Sequence, residues 1–347
     1  VGSLLFSPQN FHGRIWLGDK KVQDMSHLTV IGRSISRIDL EQSGSAEILG
    51  NREKFSRQIK AFGDKGQQVL SSARVGIVGL GGTGSATAEQ LVRMGVQELA
   101  LIDKDIFEES NITRVFGCFS EDIGTNEQAR LENISLAVPK VEVIGKHLLR
   151  INPEANIRTI HGNVASSIVC NELLNCDVIF SCMDAHWGRS IINQIAYQYL
   201  IPCIDMGTRI DSRDGTILGA AGNVRMLMPG KPCLWCTDFL NADRIMAESI
   251  PKSSRGALIR EGYVDDPDTI APSVISLNTT VSSLSVTMFL QLLTDFMGAN
   301  GDISILKYFI TEGVISRGKA SIKDDCICGK VRGFGDYYPL PVTRDTD

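Results

Sequence analysis

Residues Ala73 to Leu91 read ARVGIVGLGGTGSATAEQL: a β-favouring run, glycines at 79, 81, 82 and 84, then an alanine-bearing stretch of helical character. Gly79, Gly81 and Gly84 fit G-x-G-x-x-G, in which glycines allow a tight turn and close backbone approach, so that helix amides can receive a phosphate. Dehydrogenases and other nucleotide enzymes share this pattern, so the neighbouring residues must discriminate. Asp103 closes LALID about twenty residues on, where a carboxylate can accept from both ribose hydroxyls of NAD or of ATP. Asn111 and Arg114 follow in KDIFEESNITRVFG, and Lys140 stands in VPKVEVIGKHLLRINP. Arg as a bidentate fork and Lys as a point charge can neutralise a polyphosphate. Asp184, in DVIFSCMDAHWGR, supplies the opposite sign past a strand's carboxyl end, where open α/β sheets collect ligands. Beside a triphosphate that carboxylate is best explained as a magnesium ligand, because without the metal it would repel the nucleotide. The charge inventory favours ATP with Mg2+ over a nicotinamide.

Nine cysteines are present, and four fall into two short pairs: Cys233 and Cys236 in KPCLWCTDF, Cys326 and Cys328 in DDCICGK. With no secretory signal read in the opening residues, such pairs are expected to serve metal or catalysis, and four thiolates are the donor set of a closed structural zinc site. The second pair is C-x-C, one residue shorter than the first, so the reach of Cys328 decides whether the set closes. Cys170, Cys176 and Cys203 lie in apolar contexts and are expected in the core. His12, His27, His147, His161 and His186 show no spacing suited to a metal or a triad. Trp235, between the paired cysteines, is expected to pack rather than to recognise a ligand.

These residues need a framework that sets them at strand ends. From Ser56 onward strands and helices alternate: strands at 74–78, 98–102, 156–160, 177–182 and 201–205, helices at 84–93, 140–150, 166–174 and 188–199. That alternation predicts an α/β fold, a Rossmann-like, doubly wound mixed sheet. GTILGAAGNVRMLMPG reads as a hairpin or meander and ILKYFITEGVISRG as another strand pair, both extending the sheet. Residues 1–50 read as a short β-rich segment or linker ending in the polar EQSGSAEILGNRE, and residues 51–347 as the main domain. Within it, about 240–272 reads as a long crossover loop with a short helix or two, a type of segment that is often functional.

The chain of 347 residues, 43% of them hydrophobic, can bury a large core. A net charge of -5 with no basic run argues against a nucleic-acid partner. The uncharged stretch Ile270 to Thr294 is interrupted by Ser, Thr, Asn and Gln throughout, so it reads as a buried helix with Val274, Leu277, Val281, Leu284 and Met288 inward, not as a membrane span. The opening VGSLLFSPQNFHGRIW lacks a basic region followed by a long apolar one, so a cytoplasmic location is expected.

Taken together, SRQIKAFG, VGLGGTG, LIDKD, SNITR, PKVEV, CMD and CLWC resemble the ThiF/MoeB adenylyltransferases, whose fold underlies the ubiquitin-activating enzymes. The resemblance covers roughly Phe55 to Gly329. It implies that ATP adenylates the C-terminal glycine carboxylate of a ubiquitin-like or sulfur-carrier protein and that pyrophosphate is released. Gly79, Gly81, Gly82 and Gly84 would line the phosphates and Asp103 would hold the ribose. Asn111, Arg114 and Lys140 would contact phosphate, with Asp184 on magnesium, and the four paired cysteines would carry zinc. Arg57 in SRQI matches an arginine that the family inserts from the second subunit, which implies a homodimer.

Two departures from the family pattern stand out, and the first 50 residues carry a further resemblance. Ile270 and Ala271 occupy the place where many members carry a thioester-forming cysteine; Cys118 is the substitute by location, while Cys182 matches a cysteine that members leave unused. TNEQARLENISLAV, at 125–138, separates the arginine of SNITR from Lys140 by more than the usual dozen residues. Residues 1–50 resemble the linker of bacterial proteins that fuse a JAB-type peptidase to this domain, which would add that peptidase and a conjugating enzyme as partners. The alternatives are adenylation of a short peptide, as in microcin maturation, cyclisation of a modified transfer-RNA base, against which the acidic charge argues, and a non-catalytic scaffold of the activating-enzyme kind. Retention of the full charged set speaks against the scaffold.

Overall fold

The computed structural model describes residues 2–6, 11–16, 21–25, 27–39, 52–123, 138–250 and 271–343, together with Gly256 and Ile259. Ile270, residues 124–137, most of the crossover loop and the boundary near residue 50 lie outside the described residues. The chain divides into two compact units: residues 1–69 with 290–301, and residues 70–289 with 302–347.

The first unit holds a three-stranded antiparallel sheet of β1 (Gly2–Phe6), β2 (Phe11–Trp16) and β3 (Val22–Asp24), and a hairpin of β4 (His27–Ile31) and β5 (Ile35–Asp39). Most of the helix Ser56–Ser72 also belongs to it; Gly63 breaks the helical geometry with φ 76°. Arg33 forms an ion pair with Asp295 at 2.5 Å.

The second unit is built on an eight-stranded sheet in the order β13-β12-β11-β10-β9-β6-β7-β8. β6 (Arg74–Val78), β7 (Glu98–Asp103), β8 (Asn156–His161), β9 (Val178–Ser181) and the start of β10 (Cys203–Arg213) run parallel. β11 (Thr216–Leu227), β12 (Ile305–Phe309) and β13 (Val314–Gly318) complete the sheet in antiparallel fashion. Central parallel strands are covered on both faces, so their sequences read as continuous apolar runs: Val75 to Val78 and Val178 to Ser181 are buried without alternation. From β6 the chain moves one way to β7 and β8, then returns to place β9 and β10 on the other side. The crevice beyond the carboxyl ends of β6 and β9 is therefore the topological switch point.

Several element boundaries differ from the sequence reading. TILGAAGNVRML forms one long strand paired with β10, joined to it by the two-residue turn Asp214-Gly215, with φ values of 50° and 77°. Such Asp-Gly turns match the twist of a hairpin and explain why β10 continues to Arg213. The predicted helix 166–174 is a short α-helix, Ser167–Asn171, followed by a 3-10 turn, Glu172–Asn175. The long helix runs Ile275–Thr294, and its buried face carries Asn278, Val281, Ser282, Ser285 and Phe289, whereas Val274 is exposed. No helix among the described residues is long and apolar enough to cross a membrane.

A buried ion cluster fixes the switch-point edge. Asp205, fully buried on β10, pairs with Arg189 at 3.2 Å and with Arg225 at 3.4 Å, and it accepts the Ser181 hydroxyl at 3.1 Å. Both guanidinium groups lie over the Phe239 ring, at 4.9 and 4.0 Å from its centroid. Burial lowers the Arg225 pKa, with Asp205 acting in the opposite direction. Removing the carboxylate would leave two cations in a low-dielectric site. Asp205→Ala should cost about 3–5 kcal/mol of unfolding free energy in urea denaturation; a loss below about 1 kcal/mol would contradict this description.

Candidate nucleotide-binding site

The turn after β6 is shaped by what its glycines exclude. Gly79 has φ 88°, and a β-carbon there would stand 2.9 Å from the Cys182 carbonyl oxygen at the end of β9. At Gly84 a β-carbon would overlap the Gly79 carbonyl oxygen, and at Gly82 the Asn278 side-chain amide. Gly81 faces open space. The helix Gly82–Arg93 thus begins tight against the sheet, with no acidic residue in its first turn and no side-chain cap. Its first amides and positive end are left for an anion.

Asp103, at the end of β7, joins that turn directly. One carboxylate oxygen accepts the Leu80 amide at 2.5 Å, the other the Asp105 amide at 2.8 Å. Burial raises the Asp103 pKa from its ordinary value, against the pull of Lys140 and the two amides. Lys140 opens the helix Lys140–Ile151 and is buried, and its ammonium group reaches Asp105 at 3.0 Å. The Phe107 amide donates to the Val138 carbonyl oxygen and the Lys140 amide to that of Asp105, which closes this corner where the chain re-enters after residue 137. The extra length before Lys140 therefore does not carry it away from Asp103.

Asn111 is buried in the 3-10 turn Glu109–Asn111, where its side-chain oxygen accepts the Glu108 amide at 3.2 Å. Arg114 is half-buried and donates to the Ser110 carbonyl oxygen at 2.7 Å. The Arg114 backbone borders Gly82, and the Phe116 amide donates to Ser85 of the glycine helix at 3.0 Å. Asp184 is exposed in the loop that leaves β9, and forms no hydrogen bond or ion pair with a described residue. Arg57 is exposed on the first turn of Ser56–Ser72, in the other unit.

The four paired cysteines converge. Cys233, Cys236, Cys326 and Cys328 place their sulfur atoms within 4.8 Å of one another. Sulfur separations are 3.6 Å for Cys233–Cys236, 3.4 Å for Cys233–Cys326 and 3.7 Å for Cys236–Cys328. Thiolates bound tetrahedrally at about 2.3 Å from zinc stand roughly 3.8 Å apart, so the donor set and its spacing fit that ion. Cys328 reaches despite the shorter C-x-C spacing. Trp235 packs against the same hydrophobic core as the cysteines.

The remaining thiols lack the signature of a nucleophile. Burial raises the pKa of Cys170 and of Cys176 to about 12, and pushes Cys182 and Cys203 up as well. Cys118 donates to the Val115 carbonyl oxygen, and desolvation followed by Asp122 raises its pKa, opposite to the shift that activates a thiolate. His186 stacks on Phe239 and accepts the Asn241 amide, and burial lowers its pKa.

Sequence reasoning missed the Asp205 cluster and Asn278. A signal for the first was available: Asp205 in CIDMG and Arg225 in NVRML are opposite charges set in otherwise apolar strands. The geometry at Asp103 carries its own test. An asparagine side chain in its place would turn an NH2 donor toward either the Leu80 or the Asp105 amide, leaving that group without an acceptor. Asp103→Asn should lower stability by about 1–3 kcal/mol in denaturant titrations; unchanged stability would show that the two amides do not depend on the carboxylate.

The chain is 28% identical over 186 residues to the SAMP-activating enzyme E1 of Haloferax volcanii, covering 53% of this chain and 61% of that one. It is also 28% identical over 186 residues to the sulfur carrier protein ThiS adenylyltransferase of Bacillus subtilis, covering 53% of this chain and 49% of the relative. The chain thus spans about half to three fifths of these relatives' lengths. A crystal structure of E. coli MccB with AMPCPP and MccA shares the fold, with a TM-score of 0.60 and 19% identity over 83% of this chain and 75% of that one. The ThiF family model matches residues 55–319, and the chain belongs to the ThiF family.

Proposed function

We propose that the protein is an ATP-dependent adenylyltransferase that activates the C-terminal glycine carboxylate of a ubiquitin-like or sulfur-carrier protein. The observation that supports this best is the convergence at one switch point of an anion-ready helix end, a carboxylate level with it, and an exposed Asp184, without a hydrogen bond or ion pair to a described residue, in the loop leaving β9. Family membership and the named activities of the relatives agree with it.

In this reading the amides at Gly81, Gly82 and Gly84 receive the phosphates, and Asp103 receives the ribose hydroxyls on its remaining lone pairs. Asn111, Arg114 and Lys140 neutralise phosphate charge, with Lys140 released from Asp105. Asp184 would hold Mg2+, which when bound would supply charge screening for the phosphates. A substrate carboxylate oxygen attacks the α-phosphorus, a phosphorus–oxygen bond forms, and the bond to pyrophosphate breaks. No proton needs removal, since a C-terminal carboxylate is ionised at pH 7; the burden is alignment and charge screening. Arg57 serves the site of a second copy in a homodimer. Zinc on the four cysteines is structural, because all four donor positions are protein thiolates.

ATP–pyrophosphate exchange tests this with candidate small proteins ending in glycine and with short peptides. Substrate-dependent exchange is expected, falling about 100-fold or more in Asp184→Ala and Arg57→Ala. Exchange with peptides alone would move the substrate class to that of a peptide-modifying enzyme, and ATP binding without exchange would point to a scaffold. Elemental analysis should find about one zinc per chain, lost in Cys328→Ser. A metal-free protein with unchanged stability would remove zinc from the account.

A further inference from the structure

Behind the glycine turn, the helix Ile275–Thr294 presents a buried polar pair. Asn278 is 2% exposed and Ser282 fully buried. Asn278 bonds the Thr208 hydroxyl on β10 at 2.8 Å and the Ser273 hydroxyl at 2.9 Å. Ser282 donates to the Thr83 carbonyl oxygen at 2.8 Å, one residue inside the glycine helix. The Asn278 amide also fills the space that a side chain at Gly82 would need. One side chain therefore touches the first residue of the anion-binding helix, the strand beside the switch point, and the run 271–274.

We propose that Asn278 is a positioning residue for the nucleotide: it sets the first turn of the glycine helix from the side opposite the phosphates, through Gly82, Thr208 and Ser273. The proposal rests on reading that helix end as the phosphate site. It explains why a buried amide stands here, on the part of the helix up to Phe289 whose inner face is otherwise apolar or made of small hydroxyl residues. It also explains why the group is a neutral amide. A carboxylate of the same shape could accept from both hydroxyls, yet would bring a negative charge to the helix end that must bind phosphate.

That difference gives a test on the full chain. Asn278→Asp keeps the shape and adds a negative charge beside the empty helix end, but in a site 2% exposed that charge is costly to bury, so the melting temperature should fall somewhat and binding is measured well below it. Affinity for Mg·ATP, measured calorimetrically, should fall about tenfold or more, while competition by adenosine, which carries no phosphate, stays unchanged. Asn278→Ala should weaken Mg·ATP binding about tenfold through loss of the turn's support, again sparing adenosine. In the exchange assay the change should appear in KM for ATP, with kcat within about twofold. If either folded variant binds Mg·ATP as tightly as wild type, or loses ATP and adenosine equally, the proposal fails. A wild-type chain that binds adenosine but gains nothing from the phosphates would overturn the nucleotide reading itself, a separate and recognisable result.

Discussion

The site depends on one close approach: the first turn of the helix Gly82–Arg93 lies so near the end of β6 that the Gly79 carbonyl leaves no room for a β-carbon at Gly84. Everything else is arranged around that contact. Gly79 takes φ 88° to make the turn and abuts the β9 exit, Gly82 makes room for Asn278, and Leu80 turns its amide to Asp103. The result is a helix end that points its unpaired amides at the crevice with no acidic side chain to fill it.

Two anchors hold the surroundings of that turn. On one side, the Asp205 cluster ties β9, β10, β11 and the helix His186–Gln198 together, and Phe239 covers its two guanidinium groups. Phe239 lies three residues beyond Cys236, so the metal-ligand geometry and the charge cluster share a short connection. On the other side, the corner between Asp105 and Lys140 places a buried cation within reach of the loop that follows Asp103. The first anchor is polar and buried throughout, and the second holds a buried ammonium against an exposed carboxylate; buried polar groups fix geometry more sharply than apolar contact because each partner has few alternatives.

The parallel core was legible because buried parallel strands write themselves as apolar runs, VGIV and VIFS, each leading into a loop with a candidate site residue, Gly79 and Asp184. The glycine turn was legible for the same local reason, since spacing alone dictates where no side chain fits. Asn278 was not. Its value comes from neighbours such as Gly82 and Thr208 that lie far from it along the chain, and a helical period of apolar residues pointed instead to Val274, which is exposed. The extent of β10 was missed through the Asp214-Gly215 turn, a signal present in the chain but outweighed by the glycines of GTILGAAG. The reach of Cys328 is likewise a tertiary fact: two sulfurs separated by a single residue can close a cluster only if the backbone turns between them, as it does at the start of the helix Ile327–Lys330.

The most direct test of the account is a crystal structure with a non-hydrolysable ATP analogue and Mg2+. The account predicts the triphosphate at the Gly81–Gly84 turn, the ribose on Asp103, the metal at Asp184, and the Lys140 ammonium moved from Asp105 to a phosphate oxygen. A nucleotide bound elsewhere, or bound with Lys140 still on Asp105 and Asp184 without metal, would contradict it.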